Sequence, residues 1–181
     1  MVERMSAKIK KVIDFVKWSK VMRKTNIKAM FIIFFVWGTD VVSKYFIEKN
    51  FSDGSTLRIF GDYLQFRLVY NTGGVFGIFQ NNAMIFHILS GIAILFLLIY
   101  YLRSTYEDVF FNIAIYFVLG GALGNFTDRF FRKGVVDFID MGFGINRWPT
   151  YNVADAFISI GAIALLISFY LSEKNNVKKV T

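Results

Sequence analysis

The sequence predicts an all-α membrane protein. Four transmembrane helices carry a small extracytoplasmic β-hairpin or sheet and an outer loop, with both termini in the cytoplasm. Three observations lead there. Four apolar segments each approach the roughly 20 residues that a helix needs to cross about 30 Å of hydrocarbon. Of the 181 residues, 55% are hydrophobic and 19% aromatic, with a mean hydropathy of +0.48, whereas a soluble domain is roughly 45–50% apolar. Lysine and arginine crowd both ends and give a net charge of +8, the distribution expected of cytoplasmic flanks.

Residues 1–28 form a basic cytoplasmic segment containing Lys8, Lys10, Lys11, Lys17, Lys20, Arg23, Lys24 and Lys28. Ile9, Val12, Ile13 and Val16 have helical spacing, which suits an amphipathic helix on an anionic leaflet. A basic tail without regular structure fits equally well. The segment is no secretory signal, because its apolar run arrives late and no small-residue cleavage site follows. The membrane domain occupies 29–172, with spans near Ala29 to Ile47, Ala83 to Leu102, Phe110 to Phe126 and Ala154 to Leu171. Four crossings return the chain to the cytoplasm, where a short basic tail, 173–181, holds Lys174, Lys178 and Lys179.

Two longer segments, about 48–82 and 127–153, then face outward. In the first, Ser55 to Phe60 and Tyr63 to Tyr70 are rich in β-branched and aromatic residues around a Gly61-Asp62 turn, the pattern of a hairpin. The second contains Gly134, Gly142, Gly144 and Pro149. It reads as a folded loop with a short strand around Val135 to Ile139. These segments also hold Arg58, Arg67, Arg129, Arg132, Lys133 and Arg147, against the usual charge bias. Binding to buried carboxylates or lipid phosphates would remove that conflict.

Composition also sets exclusions. Without cysteine there is no disulfide, thiol nucleophile or thiolate metal site. The one histidine, His87, lies in an apolar run and reads as a packed core residue. No metal and no cofactor are expected. The basic flanks need no nucleic acid to explain them.

Ionisable groups in or beside a membrane are costly, so their positions carry information. Asp137 falls in the second outer segment, and Asp155 falls just inside the fourth span. Two converging carboxylates of different environment can share a proton and activate a water. Taken singly, Asp155 also reads as a helix cap and Asp137 as a loop salt-bridge partner. Asn152 and Asp155, three apart, share a helix face. Asp40 and Lys44, four apart on the first span, read as an internal ion pair that orients helices or steadies a site. Asn71, with Gly73, Gly74 and Gly77 behind it, offers an amide beside a tight turn. Gly120 and Gly124 read as a helix-packing face. Asn125, Asp128 and Arg129 end the third span, where the Arg129 fork suits a neighbouring loop, carboxylate or phosphate.

Four ordered motifs carry a family resemblance. They are Asp40 with Lys44, Asn71-x-Gly-x-x-Phe76, Gly124-Asn-x-x-Asp-Arg-x-x-x-x-Gly-Val-Val-Asp-Phe138, and Trp148-Pro-x-Tyr-Asn-x-Ala-Asp155. From about Asp40 to Leu165 the chain resembles bacterial lipoprotein signal peptidase (signal peptidase II). The resemblance implies a multi-pass aspartyl endopeptidase of the bacterial cytoplasmic (inner) membrane, with its active site at the outer face. It implies removal of signal peptides from diacylglyceryl-modified prolipoproteins, by cleavage before the lipidated cysteine. The catalytic dyad maps onto Asp137 and Asp155. Supporting positions map onto Asp40, Lys44, Asn71, Gly73, Asn125, Asp128, Arg129 and Asn152. Tyr151 and Gly74 stand where phenylalanine and alanine are common. Prolipoprotein substrates and membrane lipid are the expected partners, and a monomer is expected. The alternative is a small multi-span transporter with an outer-rim polar site, although no internal repeat supports it.

Overall fold

A computed structural model describes residues 27–73, 83–103 and 108–180. The amphipathic stretch Ile9 to Val16 and the glycines Gly74 and Gly77 lie outside these residues. The element order is α1 (Ile27–Asn50), β1 (Thr56–Phe60), β2 (Leu64–Asn71), α2 (Ala83–Arg103), α3 (Val109–Phe131), β3 (Val135–Phe143), β4 (Asn146–Arg147) and α4 (Val153–Val180). Among the described residues four helical stretches are long and apolar enough to cross a membrane: Ile27–Asn50, Met84–Arg103, Val109–Phe131 and Val153–Lys174. Their outer faces expose Phe31, Phe34, Leu89, Ile92, Phe96, Ile163 and Leu166. Lipid satisfies such a surface and water does not.

Helix α3 is the most buried of the four and packs on the other three. Small residues set the separation, since helices in lipid associate through close packing and not through a hydrophobic drive. A Cβ on Gly120 would stand 2.7 Å from the Val36 Cβ, and one on Gly161 would stand 2.8 Å from the Ala114 carbonyl. The helix also runs further than its hydropathy suggests, through Asp128 and Arg129 to a cap at Arg132, whose N–H donates to the Asp128 carbonyl at 2.8 Å. Polar side chains extend it because each finds a partner, as the site shows.

The two long segments between spans, 48–82 and 127–153, contribute to one antiparallel sheet of order β1-β2-β3-β4. The hairpin is legible locally, but its union with β3 is not, because that pairing joins residues 68 positions apart (Val69 to Asp137 in register). Side chains alternate across β3. Val136 and Phe138 enter an apolar cluster with Ile47 and Leu68, and Asp137 takes the opposite face. Tyr151 is hydrogen-bonded to Ile139 in both directions, at 2.7 and 3.0 Å. That bridge brings the start of α4 against β3.

Candidate active site

Three elements converge where the sheet meets the helix ends. There β3 carries Asp137, the first turn of α4 carries Asp155, and the last turns of α3 carry Asn125, Asp128 and Arg129. A cavity of about 1020 Å³ opens at this junction, lined among others by Asn71, Asn125, Arg129, Asp137 and Asp155. Its remaining wall is largely apolar, with Ala93 of α2, Ala122 of α3, and Ile158 and Ile160 of α4.

Asp155 is held by a reciprocal cap. The Asn152 side-chain oxygen accepts from the Asp155 N–H at 2.9 Å, and Asp155 Oδ2 accepts from the Asn152 N–H at 3.3 Å. This is a capping box with the carboxylate at its third helical position. The helix-cap reading and the site reading of Asp155 therefore describe one geometry. Asp137 is 3% exposed. Its Oδ1 accepts from Asn152 Nδ2 at 2.7 Å and its Oδ2 from Asn71 Nδ2 at 3.1 Å. Burial, and secondarily the charge of Asp155, push its carboxyl up to about 7, against the opposing pull of the Asn71 and Asn152 hydrogen bonds and of Lys44.

Three amides aim their N–H groups at the two carboxylates, and each has its oxygen occupied by a donor. Asn71 Oδ1 accepts from the Gly73 N–H at 3.0 Å. Asn125 Oδ1 accepts from Lys44 Nζ at 3.0 Å, while its Nδ2 donates to Asp155 Oδ1 at 2.7 Å. Asn152 Oδ1 is held by Asp155, and its Nδ2 also reaches Asn125 Oδ1 at 3.2 Å. An amide whose oxygen is already taken cannot turn over without presenting a donor to a donor. Gly73 thus acts on Asp137 through Asn71.

Behind this layer lies a fully buried ionic core. Lys44 Nζ contacts Asp40 Oδ2 and Asp128 Oδ2, both at 2.7 Å. Asp40 Oδ1 accepts from the Ala154 N–H at 2.8 Å, so α1 caps α4 directly. Asp128 also accepts from the Val136 N–H at 3.1 Å, immediately beside Asp137, and pairs with Arg132. Gly124 is part of this core and not only of helix packing, since a Cβ there would collide with the Asp40 carboxylate. Arg129 donates to the Asn125 carbonyl at 3.2 Å from the cavity wall, within electrostatic reach of Asp155, Asp128 and Asp137. His87 packs edge-on against Phe130 and bonds the Arg129 carbonyl, so it is a structural residue.

All ten residues singled out in the sequence fall in this assembly. Five line the cavity, and Asn152, Gly73, Asp40, Lys44 and Asp128 stand behind it. Sequence reasoning missed others. Asp140, 2% exposed, pairs with Arg147 at 2.6 Å and accepts from Gln65 at 2.8 Å. Arg132 pairs with Glu48 at 2.7 Å. Arg132 and Arg147 are thus held on internal carboxylates. Glu48 is distant in sequence and Asp140 sits within a strand, so no helical spacing announces these two pairs, whereas Arg132 with Asp128, four apart, is the pair that helical spacing does show.

Comparison with known proteins adds an independent line. The family model described as signal peptidase (SPase) II, Peptidase_A8, matches residues 32–171. A solved bacterial membrane enzyme, determined in meso at 2.3 Å, is 31% identical with a TM-score of 0.76, over 82% of this chain and 90% of that one. A second, determined in meso at 1.9 Å, is also 31% identical with a TM-score of 0.71, over 78% of this chain and 92% of that one.

Proposed function

The chain belongs to the signal peptidase II family of aspartic peptidases, and from that premise we propose that Asp137 and Asp155 hydrolyse diacylglyceryl-modified prolipoproteins before the lipidated cysteine. The observation that carries this reading is the shared amide of Asn152. It donates to Asp137 and caps the turn holding Asp155, so both carboxylates face one cavity beside lipid-facing helices. The raised Asp137 carboxyl supports a division of labour. Asp155 removes a proton from water as the water oxygen attacks the scissile carbonyl carbon. Asp137, protonated, donates its proton to the carbonyl oxygen. When the tetrahedral gem-diol collapses, Asp155 returns its proton to the leaving nitrogen, the C–N bond breaks, and Asp137 regains a proton from the hydroxyl whose oxygen becomes the carbonyl of the new carboxyl group. Arg129 on the wall suits a substrate carbonyl oxygen.

A diacylglyceryl group is strongly retained in lipid, at about 0.8 kcal/mol per buried CH₂. The apolar wall beside the dyad suits a substrate delivered sideways from the bilayer. The enzyme acts as a monomer in the cytoplasmic membrane, with the sheet on the outer face. A transporter site would lie near the middle of the helices, and this cavity lies where they meet the sheet. The test is purified protein in lipid, given a prolipoprotein with and without diacylglycerol, with fragments weighed by mass spectrometry. Cleavage is expected only of the modified substrate, because the anchor converts an encounter into a positioned reaction. Equal rates on both would identify a general membrane protease.

A pH dependence follows from the same assignment. The neutral form of Asp137 prevails below about 7 and is lost above it. A dyad needing one proton should therefore lose kcat/KM on the alkaline side, with an apparent value belonging to the pair. Rates from pH 5 to 9, in one lipid composition, measure it. A flat profile up to pH 9 would reject Asp137 as the acid.

A further inference from the structure

We propose that Glu48, with Arg132 and Tyr70, forms a positioning unit that sets the placement of the strand bearing Asp137 without touching the substrate; it rests on the peptidase reading above. Glu48 sits in the last turns of α1. Its Oε2 accepts from Arg132 Nε at 2.7 Å, and its Oε1 accepts from the Tyr70 hydroxyl at 3.2 Å. Arg132 reaches back to Asp128 with its other nitrogen. One carboxylate therefore ties together α1, β2 and the junction of α3 with β3. None of the three residues lines the cavity.

The ties end one residue from the groups that hold Asp137. Tyr70 precedes Asn71, whose amide donates to Asp137 Oδ2. Asp128, bound by Arg132, accepts from the N–H of Val136, which precedes Asp137. Tyr70 and Val136 are themselves register partners. Between them, Gly134 lies so close to β2 that an added Cβ would stand 2.7 Å from the Asn71 carbonyl. The strand is therefore gripped from both sides within three residues of the carboxylate, and Glu48 joins the two grips.

Energetics separate this role from simple stabilisation. Glu48 and Arg132 side chains are 24% and 15% exposed. An ion pair so placed is worth little more than a surface pair. Misplacing a reacting group by about 1 Å, by contrast, costs about 10²-fold in rate. The unit should matter more to turnover than to folding.

The test uses full-length protein in lipid with the diacylglyceryl-modified substrate. Glu48→Ala should lower kcat about tenfold with KM within about twofold, because geometry in the transition state is lost and binding is not. Glu48→Gln, which keeps one acceptor oxygen for Arg132 and can donate its amide N–H to the Tyr70 hydroxyl oxygen, should recover most of that loss. Tyr70→Phe should lower kcat severalfold and add little in the Glu48→Ala background, as expected of residues acting through one unit. A second readout needs no turnover: the pH titration of the Asp137 carboxyl stretch, followed by infrared difference spectroscopy against Asp137→Asn. Asn71, Asn152, Asp155 and Lys44 surround that group, so a displaced strand should shift its midpoint in Glu48→Ala. Unchanged kcat and an unchanged midpoint in Glu48→Ala would overturn the proposal. If that variant does not fold, unchanged kcat in Tyr70→Phe overturns it. If wild type fails to cleave, the peptidase reading falls, and the infrared shift alone decides the positioning role.

Discussion

Asp137→Asn and Asp155→Asn should each abolish cleavage while the protein still folds and inserts. A general acid or base contributes about 10²–10⁴-fold, and partners acting as a unit lose nearly everything together. The hydrogen-bond pattern sharpens the expectation. Both oxygens of Asp137 accept from amides, and both oxygens of Asp155 accept from Asn125 and Asn152. A neutral carboxylic acid has a single proton, which can turn toward the cavity. An asparagine has two, and one of them must face a fixed donor. Each variant thus loses one hydrogen bond, at a local cost of about 1–3 kcal/mol, which a cooperative four-helix fold tolerates. Turnover by single-substrate mass spectrometry, with melting curves of the same samples, checks both halves. Near-normal turnover by either variant would sink the dyad.

Lys44→Met should be the most damaging single change to the fold. Lys44 is fully buried between Asp40 and Asp128. Methionine fills the stem volume but leaves two buried carboxylates facing each other, with Asn125 Oδ1 short of a donor. Removing one partner of a buried ion pair costs about 3–5 kcal/mol. Asp40 would then cease to hold Ala154, and the start of α4 would loosen with Asp155 on it. Asp40→Asn should be milder, because Lys44 keeps Asp128. Fluorescence-detected gel filtration of heated samples separates the two. A melting temperature for Lys44→Met within about 2 °C of wild type would show the core to be dispensable.

The degree to which the sequence was legible divides by range of contact. The spans follow from hydropathy. Asp40 with Lys44 and Asn152 with Asp155 follow from helical spacing, because a helix turns three- and four-residue steps into neighbours. The pairing of β2 with β3 does not follow, since strand register between distant segments depends on the assembled core. Nor does the reach of Asp40 to Ala154, or of Arg132 to Glu48. Hydropathy alone ends the third span near Phe126, short of the helix end at Phe131, for a related reason. Hydropathy penalises Asp128 and Arg129 as though they met lipid, yet Asp128 meets Lys44 and Arg132, and Arg129 meets the cavity.

The three amides locked toward the dyad also decide where drug resistance has room to arise. If the proposed dyad holds, a compound that binds Asp137, Asp155 and the amide N–H groups engages residues whose substitutions are expected to remove the chemistry or strand a buried donor. Escape from such a compound is left to the apolar wall, at positions such as Ala93, Ala122, Ile158 and Ile160, where a methyl more or less alters shape and little else. An inhibitor gripping the polar end tightly and the wall loosely would leave the enzyme few viable exits.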